Sequence, residues 1–144
     1  MTQVDFYILE SDSEDARLRH ACALVDRAMQ QSQHVFINSA SESEARKLDE
    51  LLWTFSQGSF IPHRVVREEL AAPPIEPVII GLQQPPAGER WDVMINLAAD
   101  VPEFFSRYQR VAEVVDGNTV RREQSRDRYR FYRDRGYQLK THQV

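Results

Sequence analysis

Four residues near the C-terminal end, Arg122, Arg126, Tyr129 and Arg133, follow one another at spacings of four, three and four. On a helix turning about 100° per residue, that spacing gathers them within about 60° of one another. Three guanidinium groups around one phenol suit an anion, because a planar guanidinium can pair bidentately with a carboxylate or a phosphate. Like charges on one helical row repel, so folding alone gives no reason to collect them. Glu123, Asp127 and Asp134 supply the competing explanation, a solvated face with local ion pairs. Val120 and Phe131 fall on the opposite side and are expected to pack. The charge distribution favours an anionic partner. Residues 121–144 carry eight basic against three acidic side chains, while residues 1–120 carry ten against nineteen. A basic element on an acidic body concentrates anions within about 8 to 10 Å.

A second group is aromatic. Trp53, Phe55, Phe60 and Ile61 lie within nine residues, beside Pro62 and His63. That apolar content exceeds what a loop needs, and aromatic side chains dominate protein interfaces. Either a docking surface or a satellite cluster capping a sheet edge accounts for it.

Other chemistry finds no support. Five glycines in 144 residues leave little for phosphate loops, and neither G-x-G-x-x-G nor G-x-x-x-x-G-K-[ST] occurs. His20, His34, His63 and His142 include no pair at metal-ligand spacing, and no second cysteine joins Cys22. Cys22 falls on an apolar helical stripe, where a thiol is inert. No G-x-S-x-G elbow is present. No catalytic residue, cofactor or metal is therefore expected. The acidic cluster Asp12, Glu14 and Asp15 is read as a helix N-terminus favouring negative charge.

The elements that must position these groups can be read from pattern. Strands are expected at residues 4–9, 34–38, 78–82, 91–97 and 111–115, all short and rich in β-branched or aromatic residues. Leu18, Cys22, Val25 and Met29 mark a helix over residues 15–31. Ser41 and Glu44 form a capping-box pattern ahead of a helix over about 42–54, with Ala45, Leu48, Leu52 and Phe55 on its apolar side. Pro102 suits the start of a helix after Asp100, whose apolar face is Phe104, Phe105, Tyr108 and Val111. Asn118 can cap a last helix over about 119–134, with Gly136 placed to end it. Residues 53–63 read as a loop, 67–77 as a Pro-rich irregular connection, and 85–88 as a turn. Strands alternating with helices predict an α/β fold, a single Rossmann-like domain over residues 1–144 with a mainly parallel sheet flanked by helices and no nucleotide-binding loops. The opening residues lack a basic region followed by an apolar core, and no apolar run approaches a membrane span, so a cytoplasmic protein is expected.

Several stretches together resemble the chi subunit family of bacterial DNA polymerase III, accessory proteins of the clamp loader. They are Phe6-Tyr7-Ile8-Leu9, Leu48-Asp49-Glu50-Leu51-Leu52-Trp53, Ser59-Phe60-Ile61-Pro62-His63, Trp91-Asp92-Val93-Met94-Ile95-Asn96-Leu97, and Arg126-Asp127-Arg128-Tyr129-Arg130-Phe131-Tyr132-Arg133 with Gly136-Tyr137. The resemblance spans nearly the whole chain. One departure is the Pro-rich segment before residue 78, where relatives often carry Gly and basic residues.

The resemblance implies a non-catalytic subunit acting at replication forks near the nucleoid. It implies two partners: the small psi subunit, which links to the clamp loader, and the acidic C-terminal tail of single-stranded-DNA-binding protein. The psi-facing surface maps to Trp53, Phe60, Pro62 and His63, and family members use the same surface for a repair helicase. The tail pocket maps to Arg122, Arg126, Tyr129 and Arg130, and Arg133 completes the basic row. A run of aspartates ending in Ile-Pro-Phe would place its terminal carboxylate on Arg126 and its ring on Tyr129. Two other classes stay open. A direct single-stranded-DNA binder would use the same arginines with Tyr129 and Tyr132 as stacking platforms, and an enzyme of nucleotide or phosphoester chemistry would need a ligand at the carboxyl ends of the strands.

Overall fold

The computed structural model describes residues 1–55, 60–68, 74–82, 84 and 91–144. Its strands are β1 (Gln3–Ile8), β2 (Val35–Asn38), β3 (His63–Val66), β4 (Val78–Gly81), β5 (Val93–Asn96), β6 (Arg110–Val115) and β7 (Gln138–Gln143). Its helices are α1 (Glu14–Gln30), α2 (Glu42–Thr54) and α3 (Thr119–Asp134). The strands form one sheet in the order β3-β4-β2-β5-β6-β1-β7, and every pairing is parallel. The architecture is α/β and Rossmann-like.

Alternation along the strands divides the interior in two. On one face Tyr7, Ile37, Ile80, Ile95 and Val114 meet Leu18, Cys22 and Val25 of α1 and Leu48 and Leu52 of α2. On the other, Val4, Phe6, Phe36, Met94 and Val111 meet Tyr132 of α3. Parallel strands covered on both faces explain why β2, β4 and β5 read as unbroken apolar runs.

The helix caps follow the sequence. Ser13 and Asn118 accept from backbone amides at the starts of α1 and α3. Ser41 accepts from Glu44 N–H, but Glu44 accepts from Ala40 N–H and Ser39 Oγ, reaching one residue beyond the N-cap amide of the usual box. Its other oxygen holds buried Arg17 at 2.8 Å. Gly136 adopts φ +79° and ends α3.

Three expectations change. No α-helix follows Pro102: a single 3-10 turn, Phe105–Arg107, suffices to turn Phe105 and Tyr108 into the core, and Val111 belongs to β6. Residues 63–66, partly read as loop, form edge strand β3. Residues 138–143, for which no element was expected, form the opposite edge strand β7. Residues 56–59 of the aromatic loop, part of the Pro-rich connection and the 85–88 turn lie outside the described residues.

Candidate functional site

The placement of α3 is set by buried polar residues. Asn38, Asn96 and Glu113 stand in register on β2, β5 and β6, on the face that α3 covers. Asn38 Nδ2 donates to Asn96 Oδ1, and Asn96 Nδ2 donates to Glu113 Oε2, each at 3.0 Å. From α3, Arg128 Nε donates to Glu113 Oε1 at 2.9 Å and Tyr132 Oη donates to Glu113 Oε2 at 2.7 Å. The carboxylate therefore has a donor on every side. Burial, and then the neighbouring Glu113 carboxylate, push the Tyr132 phenol above its ordinary range.

Those contacts fix the rotation of the helix. Its buried side chains are Ser125, Arg128 and Tyr132. Val120, expected to pack, is 61% exposed, and Phe131 is only half-buried. About 90° around the helix from the buried stripe runs the predicted row of Arg122, Arg126, Tyr129 and Arg133. Its members are not equivalent. Arg122 donates from Nε to the Asp116 carbonyl at 3.1 Å and from Nη2 to the Leu9 carbonyl at 3.2 Å. It ties the start of α3 to the ends of β6 and β1. Arg121 beside it holds buried Asp116 through two bonds, at 2.9 and 2.6 Å.

Tyr129 is half-buried, its ring edge-on to Phe6 of β1 at 5.3 Å. Arg126, one turn before it, is exposed and makes no hydrogen bond or ion pair among the described residues. Arg130 pairs with Asp127 at 2.9 Å and Arg133 with Asp134 at 3.2 Å. All four of those side chains are more than half exposed, so each pair contributes about 0 to 1 kcal/mol and exchanges readily for an outside carboxylate. The result is a fixed aromatic ring bordered by one unengaged and two weakly engaged guanidiniums. Tyr132 is fully buried and cannot stack on a base, so the tyrosine pair expected of a single-stranded-DNA binder is reduced to Tyr129. Sequence reasoning missed Phe6 and β7 as neighbours of this row; the pairing of β1 with β6 brings Phe6 there, and the pairing of β7 with β1 adds the strand beyond it.

The aromatic group also assembles. Trp53, at the end of α2, is 49% exposed, and Phe60 is 70% exposed. Their rings lie 5.2 Å apart. Pro62 is exposed, but His63 is buried beneath Trp53, with ring centroids 4.3 Å apart. Its Nδ1 faces the Ile61 carbonyl at 2.7 Å and its Nε2 faces Asp49 Oδ1 at 3.0 Å. His63 thus positions Trp53 and does not itself form the surface.

Among the described residues, no group of three His, Cys, Asp or Glu side chains could hold a metal, and no helix is long and apolar enough to cross a membrane. Cys22 is buried, which pushes its thiol up to about 12.

A Rossmann-like sheet carrying a basic helix flank at one side and an aromatic patch at the end of another helix defines an α/β protein with two separate surface features. The family model for the DNA polymerase III chi subunit, HolC, matches residues 1–140, and the chain belongs to that family. The DNA polymerase III subunit chi of Pseudomonas aeruginosa is 40% identical over 144 residues, covering all of this chain and 98% of that protein. Those of Haemophilus influenzae and Escherichia coli are 30% and 28% identical, over 96% and 98% of this chain. The chain is thus a chi-type subunit of the replicative polymerase.

Proposed function

We propose that this chi subunit is a non-catalytic bridge, joining the psi subunit of the clamp loader to the acidic C-terminal tail of single-stranded-DNA-binding protein. The observation that carries the reading is Arg126, an exposed cation without a partner among the described residues, one turn from a tyrosine ring held in place by Phe6. A terminal carboxylate would accept two parallel hydrogen bonds from Arg126. Its phenylalanine ring would pack beside Tyr129, and the preceding aspartates would replace the Asp127 and Asp134 partners of Arg130 and Arg133. Arg122 contributes mainly by holding the start of α3.

Psi, or a repair helicase in its place, would dock on Trp53, Phe60 and Pro62, with His63 supporting the indole from below. A bridge of this kind works through effective concentration: two modest contacts on one body tether the polymerase assembly to coated template. The test is titration of a free-acid tail peptide, its C-terminally amidated form and a single-stranded oligonucleotide. The reading requires binding of the free acid, weaker binding of the amide, and no comparable affinity for the oligonucleotide. Equal binding of acid and amide would overturn it.

A further inference from the structure

Strand β7 is an edge strand of six residues, as long as β1 and β6 and longer than the four-residue strands at the other side of the sheet. It pairs with β1, and among the described residues no strand lies beyond it. Sheet proteins commonly shorten or cover such an edge, because its free amides and carbonyls template another chain. The ladder shows which groups are free. Val144 N–H donates to the Ile8 carbonyl at 3.0 Å. In a parallel ladder the bonding direction alternates along the strand, so residues of even number face β1 while Leu139, Thr141 and Gln143 present N–H and C=O outward. The Leu139 side chain packs on the same cluster as Phe6, Tyr129 and Tyr132, so the open edge borders the basic row of α3.

We propose that this edge accepts an acidic polypeptide as an eighth strand, hydrogen-bonded to Leu139, Thr141 and Gln143. The inference rests on the tail reading above and extends it to the residues preceding the terminal phenylalanine. Charge complementarity selects the occupant: Lys140 on the strand and Arg126 and Arg133 on the adjoining helix flank are exposed cations. They favour a run of aspartates and oppose a second copy of β7, which would set like charges against each other.

The test is calorimetric titration of the full chain with a peptide of consecutive aspartates ending in Ile-Pro-Phe, N-methylated at one aspartate amide at a time. Strand addition requires a period of two: methylation at alternate aspartates weakens binding about tenfold, and methylation between them changes it little. Thr141→Pro, which deletes an outward N–H and no bond to β1, weakens the parent peptide to a similar degree. The methylated peptides act on the unaltered protein, so they decide the matter even if that variant folds poorly. Binding insensitive to methylation at every position overturns the strand and leaves the tail reading standing. Absence of binding by the parent peptide overturns both, and concentration-dependent dimerisation through β7 overturns the choice of occupant.

Discussion

Tyr132 Oη donates to Glu113 Oε2 at 2.7 Å in the interior between α3 and the sheet, so the helix that carries the basic row is anchored by a phenol on a buried carboxylate. The same carboxylate takes Arg128 at 2.9 Å. Glu113→Ala leaves the buried Arg128 guanidinium with the Ala99 carbonyl but no carboxylate, and the Tyr132 hydroxyl without its acceptor, and a loss of about 3 to 5 kcal/mol is expected by urea denaturation. The double variant Glu113→Leu, Arg128→Met removes both charges and is expected to be less destabilised than Glu113→Ala alone. A double variant as unstable as the sum of its parts would show that the pair is not coupled.

Arg122 and Arg126 sit on one helical row but do different work. Arg122→Ala breaks the bonds to the Leu9 and Asp116 carbonyls and is expected to cost about 1 to 3 kcal/mol of stability. Arg126→Ala removes an exposed side chain with no partner among the described residues and is expected to change stability by less than about 0.5 kcal/mol. Thermal melts of the two variants measure the difference, and equal losses would contradict it.

At the aromatic patch, Phe60→Ala and Trp53→Ala are each expected to weaken psi binding by about 2 kcal/mol or more, roughly thirtyfold. Phe60→Ala should leave the melting temperature nearly unchanged, since that ring is largely exposed. His63→Ala should lower psi affinity and stability together, because the imidazole is buried under the indole. Surface plasmon resonance with immobilised psi reads the affinities. Undiminished binding by both aromatic variants would remove the patch from the interface.

Alkaline pH should destabilise the fold. Burial raises the Cys22 thiol from an ordinary value of 9.0 to about 12, and burial with Glu113 raises Tyr132 above its ordinary 10.0. Each group is neutral in the folded state over a range where the unfolded chain ionises. Its stabilisation is therefore complete below about pH 9 for Cys22 and pH 10 for Tyr132, and declines as pH rises toward the folded values. For each group the slope approaches about 1.4 kcal/mol per pH unit. Cys22→Ala should flatten the Cys22 part of that decline, and native Cys22 should resist thiol reagents until the protein unfolds. Rapid labelling of the folded protein at pH 8 would contradict its placement.

The span of α3 was legible because its signals are local: Asn118 caps it, Gly136 ends it, and the basic row follows helical spacing. Its packing face was not. Two of the three side chains it buries are Ser125 and Arg128, so hydrophobic periodicity marks the wrong residues, and Val120 and Tyr132 exchange the roles their positions suggested. Arg128 reads as surface charge until Glu113, fifteen residues earlier on β6, is brought beneath it. The edge strands escaped for a related reason. Gln138–Gln143 is polar on its exposed positions and depends on pairing with β1, more than 130 residues away in sequence. The resemblance grouped His63 with Phe60 and Pro62 on one surface, yet alternation at the start of β3 turns its side chain inward while those two are exposed.

The most direct measurement of the account is calorimetric titration of an aspartate-rich peptide ending in Ile-Pro-Phe with a free carboxylate, into the unaltered chain and into Arg126→Ala. Loss of about 2 kcal/mol or more of binding free energy in the variant, with its melting temperature and psi affinity retained, is the expected result. Unchanged peptide affinity in a folded Arg126→Ala protein would contradict it.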